Sequence, residues 1–303
     1  MVLAAGLGTR LKPFTLRSPK ALVPLLGVPT IEYGLLQLKA AGVSNAVVNV
    51  HAHADQLIHY LWDDHHKHMK IQISDESAQL LGSAGGFRKA LPLLDKQLEK
   101  QMETSGKSEP FFSLNADVVS DVDLNQLSLR HEELRKKHGV VMTLCLARGK
   151  TLLAQEGSYT EILCDESTGL ITGLGVPKNR VPFYTGIGVF ETEAFAHLKE
   201  GVPAEFVPEV LTPWIQKGKV GFFWMENLWI DVGSPGLWLK AHFQMMNEMK
   251  AGLVPEYWLT TIQESMKSGY FSESDLVVDY DLKPTDLPRA KNYISWKGDR
   301  ADV

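Results

Sequence analysis

Short apolar strand patterns that alternate with helical patterns limit the fold of this chain more than any other feature of its sequence. Residues 1–5 predict a buried strand, residues 30–41 carry apolar side chains at helical spacing, and residues 46–50 predict a β-branched strand. These elements form one βαβ unit, and repetition of that unit produces a mainly parallel sheet with helices on both faces. The sequence therefore predicts an α/β, Rossmann-like fold with a mixed, mostly parallel sheet.

The alternation continues along the chain and becomes denser in strands in the second half. The further predicted strands lie near residue 71 and at 111–114, 140–147, 159–164, 170–176, 184–190, 220–224 and 228–230. The further predicted helices lie at 55–62, in a segment that ends at residue 94, and at 123–138, 206–217 and 235–250. Thr30 is the predicted N-cap of the first helix, and Gly82 to Gly86 form a predicted loop. We expect the strand-rich second half to form a smaller, substrate-binding lobe.

Composition and charge exclude several classes of protein. The chain has 303 residues, of which 44% are hydrophobic and 22% are charged, so it has enough apolar material for a sizeable core. Its formal net charge of -5 argues against a broad nucleic-acid or anionic-membrane surface, so any anion must be held in a local pocket. The two cysteines, Cys145 and Cys164, have no CxxC partner, which argues against a zinc finger or a disulfide framework.

Hydropathy and cysteine usage also bear on location. The opening apolar run is shorter than the core of a signal peptide, and no stretch reaches the ~18 apolar residues of a membrane span. We therefore expect a cytoplasmic protein whose partners are small molecules, with no nucleic acid and no membrane among them. Self-association into a homo-oligomer stays open at this level.

The loop after the first predicted strand has the residues of an anion-binding site. Gly6 and Gly8 permit positive φ angles and a close approach to the backbone N–H groups. Arg10 adds a planar, two-pronged phosphate donor, and Lys20 adds a mobile point charge. This combination suits a polyphosphate. Two familiar loops do not match, because a dinucleotide fingerprint needs a glycine where Leu11 stands and a Walker loop needs Gly-Lys followed by Ser or Thr.

Two aspartates follow predicted strands elsewhere in the chain. Asp117 comes just after the strand at 111–114, and Asp231 follows the strand at 228–230. Ligands of open α/β sheets bind at the carboxyl ends of the strands, so both carboxylates are candidates for one site. Magnesium takes hard oxygen ligands and typically needs only one or two carboxylates beside waters and substrate phosphates. The pair therefore predicts a Mg²⁺ site next to the polyphosphate loop.

The motifs resemble those of a known family. The string GLGTRLKPFTLRSPKALVP looks like the signature of the nucleoside-diphosphate-sugar pyrophosphorylases, the sugar-1-phosphate nucleotidyltransferases. LGSAGGFRKAL, LNAD, YTGIGVF and WIDVG follow in the family order, and the matching blocks extend to about residue 250. Among subfamilies the chain is most similar to N-acetylmuramic acid 1-phosphate uridylyltransferases and mannose-1-phosphate guanylyltransferases. The resemblance implies the nucleotide-diphospho-sugar transferase fold with a smaller sugar-binding lobe.

The resemblance also implies a role for each matching residue. Arg10, Lys20 and Asp117 would be catalytic: Arg10 would grip the departing pyrophosphate, and Lys20 would bridge the reacting phosphates. Asp117 and Asp231 would hold Mg²⁺, the implied cofactor. The implied nucleotide-binding residues are Leu3, Ala5, Gly6, Gly8, Thr9, Gly82, Ser83 and Gly85. The implied sugar-binding residues are Asn115, Thr185 and Gly186.

Some positions depart from the family pattern or extend it. Many members present a lysine to the sugar phosphate from a Glu-Lys-Pro stretch, and here only Lys178 in Val176-Pro177-Lys178 is comparable. Ala116 stands where glycine is commoner, which narrows the space near the sugar. Glu76 and Gln79 precede the second glycine-rich block and are candidates for contact with the Watson-Crick edge of the nucleobase.

The implied organisation is a nucleotidyltransferase domain followed by an extension. Residues 1–250 would form the domain, with a nucleotide-binding part at about 1–120 and a sugar-binding part at about 121–250. Residues 251–303 would form a C-terminal extension. The implied reaction is NTP plus sugar 1-phosphate to NDP-sugar plus pyrophosphate, serving cell-wall or surface-glycan precursor supply or recycling.

Two other functions use the same scaffold. One is a catalytically silent regulatory subunit that senses nucleotide-sugars, and the retained Arg10, Lys20, Asp117 and Asp231 argue against it. The other is a phosphocholine cytidylyltransferase, whose choline would need an aromatic and acidic cage. The sequence neither shows nor excludes such a cage.

Overall fold

The structure is a computed structural model that describes residues 1–62, 69–105, 110–148, 159–175, 182–226 and 228–267. Lys178 and residues 268–303 of the expected extension lie outside the described residues. Within the described ranges, no helix combines the length and the apolar character that a membrane span requires.

A nine-stranded sheet forms the centre of the described chain, with strands in the order β5-β4-β1-β6-β11-β8-β12-β10-β9. Two small ribbons, β7 with β13 and β2 with β3, lie beside it. The strands are β1 Val2–Leu3, β2 Pro24–Leu25, β3 Val28–Pro29, β4 Asn45–Val50, β5 Lys70–Asp75, β6 Phe111–Asn115, β7 Val118–Ser120, β8 Met142–Ala147, β9 Ile162–Asp165, β10 Leu170–Leu174, β11 Phe183–Phe190, β12 Val220–Met225 and β13 Trp229–Asp231.

Strand direction divides the sheet into a parallel part and a mixed part. Strands β5, β4, β1 and β6 are parallel neighbours, so their carboxyl ends meet at one edge. Strand β11 runs antiparallel to both β6 and β8, and β10 runs antiparallel to both β12 and β9. The predicted mixed, mostly parallel sheet is therefore confirmed. The strands of the second half continue the same sheet as those of the first half.

Helices cover this sheet on both faces. They are α1 Thr30–Ala40, α2 Ala54–Leu61, α3 Gly82–Ser105, α4 Leu124–His138, α5 Thr212–Gln216, α6 Pro235–Lys250 and α7 Glu256–Lys267. Helix α4 shows how local sequence determines where a helix begins and ends. Its N-cap Asp123 accepts hydrogen bonds from the backbone N–H groups of Asn125 and Gln126, and Gly139 ends the helix with a φ of 63°.

Apolar residues pack in three buried clusters. Val48 of β4 packs in a cluster with α1 and α2, whereas its neighbour Val47 packs in a cluster with α3. Successive side chains of a strand point to opposite faces, so these two clusters lie on the two sides of the sheet. A third cluster joins Leu25 and Leu26 of the first loop region to α6 and α7.

The structure corrects the predicted loop at 82–86. Helix α3 begins at Gly82 and includes all of these residues. Glycine has a low helix propensity, which explains the loop prediction. The glycines are required here by close packing, because a Cβ on Gly85 would stand 2.9 Å from the carbonyl oxygen of Val202. Tertiary contacts therefore override the local preference.

Two other helical predictions also differ from the structure. Thr30 is the first residue of α1 and not its cap, since Pro29 precedes the helix and the Thr30 hydroxyl donates to the carbonyl of Ala21 at 3.1 Å. The predicted helix at 206–217 consists of a π-helical turn, Val207–Leu211, followed by α5. Helix α7 was not predicted, and it lies within the expected C-terminal extension.

Candidate functional site

An open cleft lies at the carboxyl ends of β1 and β6, where the parallel part of the sheet meets the β7–β13 ribbon. The centre of a water molecule can occupy about 160 Å³ of it. Its lining residues come from the first loop, the end of β6 and the segment after β13: Leu3, Ala4, Gly6, Gly8, Thr9, Arg10, Lys20, Ala21, Ala116, Asp117 and Gly233. This is the strand-end position that the sequence predicted for a ligand.

The first loop folds back on itself and so brings a lysine to the cleft. Gly8 has a φ of 59°, and a Cβ there would stand 2.7 Å from Cγ2 of Thr15 and 3.1 Å from Cβ of Lys20. The Thr15 hydroxyl donates to the carbonyl of Gly8 at 2.8 Å, which closes the loop. Only glycine fits this conformation and this contact. Gly6 and Arg10 remain exposed to solvent.

Lys20 forms an ion pair with Asp117 across the cleft. The side chains of Lys20 and Asp117 are 14% and 22% exposed, so both charges are largely shielded but still reach the cleft. The N–H of Ala116 donates to the carbonyl of Leu3 at 3.0 Å and thereby aligns the segment before Asp117 with the end of β1. The pairing joins residues that lie 97 positions apart in the chain.

The β7–β13 ribbon places the second aspartate beside the first. Asp231 pairs with Val118, and the N–H of Val232 donates to the carbonyl of Asp117 at 3.1 Å. Asp231 is buried, and the Tyr159 hydroxyl donates to its Oδ2 at 2.5 Å. A Cβ on Gly233 would stand 2.9 Å from both carboxylate oxygens of Asp231. A glycine at this position therefore leaves the carboxylate its space.

Electrostatics couple these groups. Burial raises the pKa of Asp231 above its usual range, and the negative charge of Asp117 raises it further. The hydrogen bond from Tyr159 and the positive charges of Lys20 and Arg10 act in the opposite direction on this pKa. The pKa of Tyr159 is also raised, first by burial and then by the charge of Asp231. Two cations and two carboxylates thus share one electrostatic environment.

The structure brings part of the expected site together. Seven of the expected residues line the cleft: Leu3, Gly6, Gly8, Thr9, Arg10, Lys20 and Asp117. Asp231 lies next to the cleft, between Tyr159 and Gly233. Ala5 is buried and does not belong to the lining. The roles expected for these residues stay predictions.

The expected nucleotide-binding residues of the second glycine-rich block lie against another segment. A Cβ on Gly82 would stand 2.6 Å from the carbonyl oxygen of Ala204, and the N–H of Gly85 donates to that oxygen at 3.1 Å. The Ser83 hydroxyl donates to Oε2 of Glu205 at 3.1 Å and accepts from the N–H of Phe206 at 2.9 Å. None of the three lines the cleft described above.

The expected sugar-binding residues lie near the end of β6. Gly186 has a φ of 84°, and a Cβ there would stand 2.6 Å from Nδ2 of Asn115, so these two residues are in contact. The Thr185 hydroxyl is buried and donates to the carbonyl of Cys145 at 2.8 Å. This hydroxyl therefore stabilises the sheet, and the carbonyl of Thr185 accepts from the indole N–H of Trp229 at 3.0 Å.

Sequence reasoning missed two neighbours of Asp231 and misassigned one carboxylate. Gly233 lies two positions after Asp231 in the WIDVG string, so the sequence offered a signal for this neighbour. Tyr159 lies 72 positions from Asp231 and carries no local signal. Glu76, a candidate for base contact, has no exposed surface and bonds to Asn49 and to the N–H of Leu81. Its carboxylate is not accessible to a nucleobase, so that prediction is wrong.

The fold and the cleft together define a class. An α/β protein with an exposed glycine loop, two cations and two carboxylates at its strand ends is suited to a phosphorylated ligand. Residues 1–248 match the sequence model of the family described as nucleotidyl transferase, so the chain belongs to this family. The match covers β1 to α6 and therefore includes every part of the cleft.

Curated relatives are about 30% identical to this chain over the aligned residues. N-acetylmuramate alpha-1-phosphate uridylyltransferase of Neisseria meningitidis serogroup B is 30% identical over 234 residues, which cover 77% of this chain and 92% of the relative. Mannose-1-phosphate guanylyltransferase 1 of Arabidopsis thaliana is 29% identical over 239 residues, which cover 78% of this chain and 61% of the relative. The chain thus spans about three fifths of the plant enzyme.

A solved structure supports the fold. The crystal structure of HddC from Yersinia pseudotuberculosis, complexed with GMP-PN, aligns with a TM-score of 0.62 and 19% sequence identity. The alignment covers 80% of this chain and 97% of that chain. The nucleotide-diphospho-sugar transferase fold implied by the sequence is therefore confirmed.

Proposed function

We propose that this chain transfers a nucleotidyl group from an NTP to a sugar 1-phosphate and releases pyrophosphate. One observation carries the proposal: Lys20 and Asp117 meet as an ion pair in a cleft whose other wall is a glycine loop. Family membership and the names of the relatives support the same reaction.

The reaction requires alignment of anions more than proton transfer. An oxygen of the sugar phosphate attacks the α-phosphorus of the NTP. The bond between that phosphorus and the oxygen that bridges the α- and β-phosphates breaks. The electron pair leaves with pyrophosphate. The attacking oxygen is already negative at neutral pH, so no catalytic base is required. The protein must chiefly hold two anions in line and offset their repulsion.

Lys20 and Arg10 would supply most of that offset. Lys20 would lie between the reacting phosphates, and Asp117 holds its ammonium group in the cleft before a substrate arrives. Arg10, exposed on the loop, would bind the β- and γ-phosphates as pyrophosphate departs. A single such contact on developing charge is typically worth ~3 kcal/mol.

Asp117 and Asp231 fit a divalent cation. Their carboxylates are hard oxygen donors on adjacent segments. Burial and then the charge of Asp117 raise the pKa of Asp231, and a bound cation would offset both effects. Bound Mg²⁺ would neutralise phosphate charge at this position. Tyr159 would orient Asp231 through its hydroxyl, and Gly233 would leave the carboxylate room.

The identity of the substrates also belongs to the proposal. The uridylyltransferase relative is covered almost in full, whereas the guanylyltransferase relative is covered by about three fifths. We therefore place UTP with N-acetylmuramate 1-phosphate first and GTP with mannose 1-phosphate second. The product would serve cell-wall or surface-glycan precursor supply or recycling in the cytoplasm, where NTPs are made.

Pyrophosphate release tests the proposal. Purified protein is incubated with UTP, GTP, dTTP or CTP and a panel of sugar 1-phosphates, in Mg²⁺ and then in EDTA. We expect release with one pair and loss of that release in EDTA. Nucleotide-sugar binding without release from any pair would instead support a sensing subunit. Release only from CTP with phosphocholine would support a cytidylyltransferase for choline.

A further inference from the structure

A chain of three buried hydrogen bonds joins the cleft to the start of α3. Oδ1 of Asn49 accepts from the N–H of Ala4 at 2.7 Å, and Nδ2 of Asn49 donates to Oε1 of Glu76 at 2.7 Å. Oε2 of Glu76 accepts from the N–H of Leu81 at 3.1 Å. Ala4 lines the cleft, and Leu81 immediately precedes Gly82. The side chains therefore link the two glycine-rich segments.

The donor and the acceptor of each hydrogen bond in this series are determined at both ends. The N–H of Ala4 can only donate, so Asn49 must present its oxygen to Ala4 and its amino group to Glu76. The N–H of Leu81 also can only donate, so both Glu76 oxygens act as acceptors. Asn49 is 3% exposed and Glu76 is 0% exposed, so water cannot replace either partner without an opening of the structure.

Packing leaves no room for another arrangement. A Cβ on Gly86 would stand 2.8 Å from Nδ2 of Asn49 and 2.8 Å from Oε1 of Glu76, so the backbone of α3 lies against the contact. The backbone of Asn49 also pairs with Leu3, the last residue of β1. Its side chain therefore extends the contact between β4 and β1 by one residue, at the point where the first loop begins.

We propose that Asn49 and Glu76 are positioning residues for nucleotide binding, because their hydrogen bonds hold Ala4, which lines the cleft, at a fixed distance from the start of α3. This inference rests on the proposed function and deepens it. It predicts that NTP affinity depends on the Asn49–Glu76 contact. It also predicts that affinity for the sugar 1-phosphate does not, because neither residue approaches Asn115 or Gly186 through a described contact.

A reciprocal exchange of side chains tests the inference. Asn49→Asp places two carboxylates together, and Glu76→Gln removes the charged acceptor from the middle of the chain. In the double variant, the introduced aspartate would accept from the N–H of Ala4 and from the amino group of the introduced glutamine, whose carbonyl oxygen would accept from Leu81. We expect each single variant to raise the Kd for UTP or GTP about tenfold, the effect of a lost buried hydrogen bond to a charged group. The double variant should restore most of that affinity.

The measurements separate positioning from general damage. Calorimetry gives the NTP Kd, steady-state kinetics give KM for the sugar phosphate, and thermal unfolding without ligand reports folding. Asn45→Asp is the matched control, since Asn45 lies at the opposite end of β4 and its side chain bonds to Ser44. If Asn49→Asp does not fold, Glu76→Gln and the double variant carry the test.

Four results distinguish this inference from the proposed reaction. Equal losses in NTP and sugar-phosphate binding, or no recovery in the double variant, would overturn the positioning role while wild-type turnover persists. NTP binding by the wild type without turnover would remove the proposed reaction and leave the positioning role supported by the variants. No binding of UTP, GTP, dTTP or CTP by the wild type would overturn both.

Discussion

Two glycine-rich segments follow strands of the parallel part of the sheet, and Gly6 of the first differs from the glycines of the second in what surrounds it. In the first, Gly6 is exposed, and within the described chain no atom lies within 4 Å of the position of a Cβ. In the second, Gly82, Gly85 and Gly86 each stand against backbone or buried side chains. Gly6 keeps the backbone of the first segment open to the cleft, whereas Gly8 of the same segment packs against Thr15 and Lys20. The second allows a helix to pack closely against its neighbours.

The difference extends to charge and support. The first segment carries Arg10 and Lys20 into the cleft. Leu25 and Leu26, which follow this segment, pack against α6 and α7. The second segment is tied to the sheet by Asn49 and Glu76. Similar glycine patterns therefore indicate a chemical surface in one case and a packing requirement in the other, and only the surroundings distinguish them.

Replacing the lysine of the first segment should produce the largest effect. Lys20→Met removes the ion pair with Asp117 and the charge expected on the phosphates, so we expect kcat to fall about a hundredfold or more, or ~3 kcal/mol of barrier. Pyrophosphate release measures it. Lys12→Met, an exposed lysine of the same loop, should leave kcat unchanged. Full activity in Lys20→Met would remove the chemical role of the first segment.

The support of the first segment should respond to pH. Nε2 of His242 accepts from the N–H of Leu26 at 3.2 Å, and burial lowers the pKa of His242 to about 4 from 6.5. Between these values the unfolded chain binds a proton that the folded chain does not, so the free energy of unfolding falls as pH falls. The loss over the window is about 3 kcal/mol.

Urea denaturation of the wild type and of His242→Gln at several pH values measures how the free energy of unfolding depends on this histidine. Glutamine can accept from Leu26 but does not titrate, so the variant should lose less stability than the wild type between pH 6.5 and about 4. Parallel curves for the two proteins would show that His242 does not couple the first segment to pH.

A methyl group in the second segment should weaken the fold. Gly85→Ala would place a Cβ 2.9 Å from the carbonyl oxygen of Val202 and 3.0 Å from Cβ of Leu81. Such overpacking typically costs about 1–3 kcal/mol, so the urea midpoint should fall. An unchanged midpoint would mean that Gly85 has as much space for a Cβ as Gly6 has.

The same methyl group in the first segment should leave the fold nearly unchanged. Gly6→Ala meets no described atom within 4 Å, so the free energy of unfolding should change by less than about 0.5 kcal/mol. The KM for the NTP should rise, because the methyl group enters the cleft. Gly85→Ala is the matched comparison, and a large loss of stability in Gly6→Ala would contradict the contrast between the segments.

Local pattern predicted much of the fold and part of the candidate site. Helix α6 runs from Pro235 to Lys250 as predicted, because Ser234 caps it and proline begins it. Lys20 and Asp117 were expected in one site and lie together, since strand ends of a parallel sheet meet at one edge.

Other features had no local signal. Tyr159 donates to Asp231, and its ring stacks on Phe183 and meets Trp229 edge-on, so long-range packing orients it. Glu76 looks like a polar loop residue in sequence, yet the packing of α3 buries it against Asn49. Helix α7 follows a weak pattern and is held by Trp258, whose indole N–H donates to the carbonyl of Tyr33 at 3.1 Å.

Strand periodicity, helix caps and the residue types at strand ends are properties of a few neighbouring positions, so the order of residues was enough to predict the α/β class and the charged groups of the cleft. Which glycine stays open, which carboxylate becomes buried and which hydroxyl bonds to Asp231 depend on residues many positions away. Packing decided those features, because burial and hydrogen-bond geometry arise only when distant segments come into contact.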